Sequence, residues 1–232
     1  QLTASLEAEG TFETQTAFAQ WQLSESTFPG QGELTLADNR LVIDNTQLRV
    51  ADGTVTANGI ALLDSGDWQA ALATNDVPVE RFTPQAQGLL SANLDASGNL
   101  YELNLAKIEA AGEAAIANAQ VRIPNLNQPL LAPGDWTTAF QWQGDRIAVE
   151  TFTAPGVQAN GTIGVDFAQS VPIGDFDLNV ALQQFDLQPF NQLAPQTIQD
   201  YGQLAGLTSF NGQLTGTLDN PQLAGEIGRA HV

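Results

Sequence analysis

Phe176-Asp177-Leu178-Asn179-Val180-Ala181-Leu182 places a large apolar side chain at every second position and a small or polar one between. A period of two belongs to an extended strand with one dry and one wet face. The pattern recurs in Leu2, Ala4, Leu6 and Ala8, in Leu34 and Leu36, in Leu41 and Ile43, in Val55 and Ala57, in Phe140 and Trp142, and in Ile163, Val165 and Phe167. One-sided strands of this kind build antiparallel sheets. Turn signals at Asp38-Asn39, Asp52-Gly53, Ser65-Gly66-Asp67, Ser97-Gly98-Asn99, Gly144-Asp145 and Asp219-Asn220-Pro221 cut the chain every ten residues or so. The reading is an all-β meander of about 16 strands. Two short helical turns interrupt it, one from Pro78 to Phe82 and one after Pro195, which suits a first helical turn. Ala106 to Ala119 is Ala-rich, but Ala110, Gly112, Ala114 and Ile116 alternate around a glycine that a helix tolerates poorly, so it reads as strand.

The 232 residues carry 7 basic and 26 acidic side chains, a net charge of -19. So acidic a chain repels phosphate backbones, which excludes nucleic acid as a partner. Charged residues are only 14% while Gln and Asn fill 39 positions, so solubility rests on amides and on the acidic excess. There is no Cys, hence no disulfide framework and no thiolate chemistry. No stretch approaches the roughly 18 apolar residues of a membrane span, and no signal-peptide pattern occurs. Since the chain opens at Gln1 and contains no Met, it reads as a section of a longer protein whose anchor or signal lies elsewhere.

Self-comparison shows a repeat of about 106 residues. The segment from Arg40 to Phe82 resembles that from Arg146 to Phe190, pairing Arg40 with Arg146, Asn58 with Asn160, Leu72 with Leu182 and Phe82 with Phe190. Ile60 and Ile163 fall at near-equivalent places. Each copy continues alike, GLLSANLDASGNL from Gly88 echoing GQLTGTLDNPQL from Gly212, and TAFAQWQ at Thr16 echoes TAFQWQ at Thr138. Residues 1–124, with a first full unit at about 40–124, and residues 125–232 are therefore two sections of one repeat architecture, each unit meeting mainly its neighbours.

Catalytic constellations are scarce. His231, within the closing GRAHV, is the only histidine, so no Ser-His pair forms elsewhere, and Gly-x-Ser-x-Gly and the phosphate-binding Gly-Lys-Ser/Thr are both missing. Asp38, Asp44, Asp52, Asp64, Asp67, Asp95, Asp145 and Asp219 fall at expected turns, where Asp bonds its own backbone. That reading outweighs a glycosidase pair or calcium site. The glycines recur with the strand unit and mark bends, and Trp21, Trp68, Trp136 and Trp142 read as core or groove wall ahead of a sugar platform. No catalysis, no cofactor and no metal is expected.

The stretch FNGQLTGTLDNPQLAGEI, Phe210 to Ile227, with its Gly-x-Leu-x-Gly-x-Leu strand and Asp-Asn-Pro turn, resembles the repeat of the TamB family and its AsmA-like relatives. FDLNVALQQFDLQPF and GVQANGTIGV fit the same layout. The resemblance implies a β-taco, an elongated antiparallel sheet curled into a groove with an apolar inside, with one or two short helices between units. It implies a middle section of a translocation and assembly module protein. Such a protein is anchored in the inner membrane and crosses the periplasm of a diderm cell or a plastid intermembrane space. Its work would be phospholipid transport between membranes, with support of outer-membrane protein assembly through a barrel assembly partner outside this segment. Acyl chains would then lie along Leu34, Leu36, Leu41, Ile43, Val55, Ala57, Ile60, Leu62, Trp68, Leu72, Phe140, Trp142, Ile147, Val149, Val157, Ile163, Val165, Phe167, Phe176, Leu178, Val180 and Leu182. A structural or interaction scaffold without ligand and a carbohydrate-active β-protein are the alternatives.

Overall fold

A computed structural model describes residues 2–10, 15–102, 107–122, 132–166, 173–186, 188, 206–217 and 219–228. The turn signals deliver strands of 8 to 14 residues. The first seven are β1 Leu2–Gly10, β2 Gln15–Leu23, β3 Gly30–Ala37, β4 Arg40–Val50, β5 Gly53–Leu62, β6 Asp67–Pro78 and β7 Ala86–Asn99. The second seven are β8 Glu109–Val121, β9 Gly134–Gln143, β10 Arg146–Ala154, β11 Val157–Gly164, β12 Phe176–Asp186, β13 Leu207–Thr217 and β14 Asn220–Ile227. They form one sheet in strict sequence order, β1 through β14. The fold is all-β and antiparallel, and the sheet is left open, since β1 and β14 stand at the two ends of the order.

The described residues form fourteen strands where about 16 are expected, and Ser97-Gly98-Asn99 are the last three residues of β7, the chain turning just after them with the Tyr101 amide donating to Asn99 Oδ1 at 2.9 Å. Gly98 is no turn residue: it pairs with Trp68, and a Cβ on it would meet the Trp68 ring at 2.9 Å. Asp95 likewise lies mid-strand and Asp44 sits within β4, so neither is a turn residue. Asp38-Asn39 does turn the chain, with φ of 50° and 56°, the left-handed pair that a two-residue hairpin requires. Asn tolerates this conformation better than bulky residues do. Val79–Arg81 forms the short 3-10 turn expected after Pro78, and the Ala-rich segment is strand β8. The helical turn expected after Pro195 lies outside the described residues.

The chain divides into two compact units, and β7, β8 and β9 each contribute residues to both. One holds residues 1–78, 89–114 and 141–144, the other residues 79–88, 115–140 and 145–232. In the first, Val77 is fully buried and Val50, Ala61 and Ala110 are nearly so. In the second, Ala154, Val157 and Phe185 are packed by Trp136, Phe152 and Leu182, with the Trp136 and Phe152 rings edge-to-face at 6.1 Å.

The internal repeat is written in the β-bulges. Asp44-Asn45 of β4 bulge out opposite Asn58, between the pairs Ile43↔Gly59 and Thr46↔Ala57. Glu150-Thr151 of β10 do so opposite Asn160, between Val149↔Gly161 and Phe152↔Ala159. Asn58 and Asn160 are therefore equivalent. Counting outward along the registers, Ala61 matches Ile163, Trp68 matches Phe176 and Leu72 matches Val180. A second pair of bulges, Asn75-Asp76 and Gln183-Gln184, then coincides.

Two alignments from the sequence are corrected by this. Leu72 matches Val180 and not Leu182, and Ile60 matches Thr162 and not Ile163. The echo between GLLSANLDASGNL and GQLTGTLDNPQL is also displaced, because Val77↔Leu90 and Phe185↔Thr208 make Leu94 the equivalent of Gly212. Leu94-Asp95 lies mid-strand in β7 whereas Asp219 of the other copy lies in the turn before β14, so similar letters here do not mean similar places.

Candidate functional site

Register decides which side chains share a face, because successive residues of a strand point to opposite sides. In the first unit Leu34↔Ile43 and Leu36↔Leu41 join β3 to β4, and Ile43↔Gly59 and Leu41↔Ala61 continue into β5. Val55↔Thr74, Ala57↔Leu72 and Ala61↔Trp68 carry the same face into β6. Leu34, Leu36, Leu41, Ile43, Val55, Ala57, Trp68 and Leu72 are thereby brought together. In the second unit Ile147↔Ile163, Val149↔Gly161, Val157↔Leu182, Ala159↔Val180, Gly161↔Leu178 and Ile163↔Phe176 do the same. Alternation along β9 places Phe140 and Trp142 on the face of Trp136, and the Trp142 indole N–H donates to the Gly144 carbonyl at 2.8 Å. Val165 lies just beyond β11, its amide bonded to the Asp145 carbonyl. Phe167 lies outside the described residues.

Ile60 and Leu62 are corrections. Ile60 pairs with Val42 and Gln69, and Leu62 with Arg40, which puts both on the opposite, polar face. In GTVTANGIAL Val55 is on the apolar face, but towards the end of the strand the large aliphatics Ile60 and Leu62 stand at even positions while that face takes Gly59 and Ala61, so side-chain size misleads.

The bulges also hide members of the apolar face. Two residues against one shift the parity of the strand, so β4 is apolar-faced at Leu41 and Ile43 before Asp44-Asn45 and at Leu48 and Val50 after it. The same shift brings Phe152 in behind Val149, Val77 behind Thr74 and Phe185 behind Leu182. The signal was present as a change of parity of the apolar positions across a polar pair, odd to even in β4 and β10 and even to odd in β6 and β12. Asn45, Asp76 and Gln184 hold φ near +50° at such places, a conformation Asn and Asp tolerate best.

Aromatic rings on this face lie down where glycine permits. Trp21 is paired with Gly32, where a Cβ would come within 2.6 Å of the indole nitrogen, and Trp68 covers Gly98 in the same way. The face is thus apolar but low. Its cover is uneven: Val77, Val157, Phe176 and Phe185 are buried, most other members are half-buried, Leu72 is 38% exposed, and among the described residues no second sheet or helical layer packs on it. Trp136 Nε1 and Thr74 Oγ1 are buried in it without a partner.

The other face is polar, with cross-strand ladders. Glu33 accepts from Gln20 at 2.9 Å and from Asn45 at 2.8 Å, Asn179 donates to Asn160 at 3.1 Å, and Gln213 donates to Asp177 at 3.2 Å. An open trough of about 870 Å³ lies there in the first unit, lined by Asp44, Asn58, Gln69, Asp95 and Glu109 over alanines. At the end of β5, Tyr101 hydroxyl donates to the Leu63 carbonyl and Asn99 amide donates to Asp67 at 3.0 Å. The Ser65 and Asn99 hydrogen bonds hold the Asp67 carboxyl below the usual range. No family model, no curated protein and no solved structure matches the chain.

Proposed function

We propose that each unit's apolar face shelters lipid acyl chains, and that the chain is a section of a TamB-like envelope protein moving phospholipid between inner and outer membranes. The observation that carries this is sidedness without cover. Sixteen of the aliphatic and aromatic residues expected to line a groove share the apolar face of their own unit by register; Val157 and Phe176 are buried among neighbours of the same sheet, the other fourteen keep part of their surface exposed, and among the described residues no second layer packs against them. An ordinary core would be closed. Burying half of a C16 tail contributes roughly 6 kcal/mol at about 0.8 kcal/mol per methylene, which permits entry and release. With a net charge of -19, anionic head groups stay in water while tails lie on the sheet.

The test is photocrosslinking. Benzophenone side chains at Leu72 and Val180 form adducts with radiolabelled phospholipid supplied in vesicles, while those at Ile60 and Asn179, on the polar face, form none. Labelling at neither pair, or equally at both, overturns the reading.

A further inference from the structure

The two units differ at one cross-strand row of the polar face. In the second unit the row Asn160↔Asn179↔Gln213 is closed by its own side chains: the Asn179 amide donates to Asn160 at 3.1 Å and the Gln213 amide to Asp177 at 3.2 Å. The equivalent row of the first unit reads Asn58↔Ala71↔Asp95, with Gln69 in the place of Asp177. Here the middle amide has shrunk to a methyl group and the outer amide has become a carboxylate. Among the described residues no hydrogen bond or ion pair engages the side chains of Asn58, Gln69 and Asp95. The row opens into the trough of about 870 Å³, a volume within the range of ligand sites. Alanine is a poor strand former, so strand stability does not account for Ala71 at this exposed position.

What the second unit places in this space defines what fits it. Asn179 and Gln213 both present N–H donors, one to an amide oxygen and one to a carboxylate. The groups left open in the first unit include the matching acceptors: the Asn58 side-chain oxygen, Asp95, and Asp44 in the β4 bulge opposite Asn58. Glu109 adds a third carboxylate, and among the described residues no Lys, Arg or His lines the trough. A positively charged N–H donor answers both the hydrogen bonds and the charge. Asp44, Asn58, Ala71 and Asp95 follow one another on the adjacent strands β4 to β7, so the two aspartates stand about 14 Å apart at roughly 4.8 Å per strand. An extended polypeptide covers that distance in about four residues.

We propose that the trough binds an extended basic segment of another polypeptide, lying across β4 to β7 with one basic side chain on Asp44 and another, four residues away, on Asp95. Arginine fits best, because its planar fork of donors reaches a carboxylate and the Asn58 oxygen together. This holds whatever the apolar face contains.

The experiment titrates the whole isotope-labelled chain with a five-residue peptide carrying arginine at both ends and serine between, and reads chemical shifts by NMR. Shifts are expected at the backbone amides of Asn58, Ala71 and Asp95 and at the side-chain amides of Asn58 and Gln69, with those of Asn160 and Asn179 unmoved. Ala71→Asn combined with Asp95→Gln fills the row as the second unit fills it. That variant should weaken binding by about fivefold or more without lowering Tm. Asp177→Asn makes the same change of net charge in the second unit and should leave binding unchanged; Asp95→Asn alone gives the same contrast if the double variant unfolds. Equal weakening by Asp177→Asn, shifts spread over the acidic surface, or no binding overturns the proposal. So does equal affinity for spermidine or for a peptide with its two arginines adjacent, because the trough then reads charge and not the spacing of a polypeptide.

Discussion

Val180→Asp and Asn179→Asp introduce the same charge at adjacent residues on opposite faces, so their difference isolates sidedness. Val180 is half-buried between two small cross-strand neighbours, Ala159 and Gly212, and Asn179 is exposed beside Asn160. Full burial of a valine is worth about 1.5–3 kcal/mol, so half burial beside small residues puts the folding penalty of Val180→Asp near 1 kcal/mol. The chain should remain folded. An acyl chain crossing one strand spans about 4.8 Å, roughly three methylenes, and loses about 2.4 kcal/mol if a solvated carboxylate holds it off there. That corresponds to binding weaker by roughly fifty-fold. Titration with a fluorescent C16 fatty acid, at constant ionic strength and with folding checked by thermal denaturation, measures it. Asn179→Asp should change binding by less than about twofold, since both variants carry the same net charge. Equal losses, or full binding by a folded Val180→Asp chain, would refute the argument.

The equivalence of Ala61 with Ile163 gives a sharper contrast: Ile163→Arg should weaken fatty-acid binding in the same titration, and Ile60→Arg, on the polar face beside Gln69, should leave it unchanged. Gly161 holds φ +143° and a Cβ there would collide with the Asp177 carbonyl, whereas Gly59 has no such φ and its nearest contact is 3.1 Å. Urea unfolding should therefore show Gly161→Ala destabilised by about 2 kcal/mol or more and Gly59→Ala by under about 1 kcal/mol. Asp67 should titrate by NMR below the ordinary aspartate value of about 3.9, and Asn99→Ala should raise it. Because its folded-state pKa is depressed, the stabilisation from this turn is present above about pH 4 and lost as pH falls through the folded value.

What the sequence by itself determined was the class of the fold. Alternation in FDLNVAL and RLVI, cut by Asp-Asn and Ser-Gly turns, leaves no other economical reading than one-sided antiparallel strands. Leu178, Val180 and Leu182 could be placed on one face from the letters alone, since nothing interrupts their parity. The repeat was visible too, through Arg40 with Arg146 and Asn58 with Asn160. Tertiary structure decided the phase. Each bulge sets two residues against one, so a strand leaves it with its faces exchanged, as β4 does between Ile43 and Leu48. Ile60 fails for another reason: β5 keeps its parity from Val55 to Ala61, and the dry face there takes the small residues Gly59 and Ala61. Where a bulge falls depends on which neighbouring pairs bond, a matter of register between strands that no count along one strand contains. The same holds for Gly98, which reads as a turn until the Trp68 ring is found lying over it.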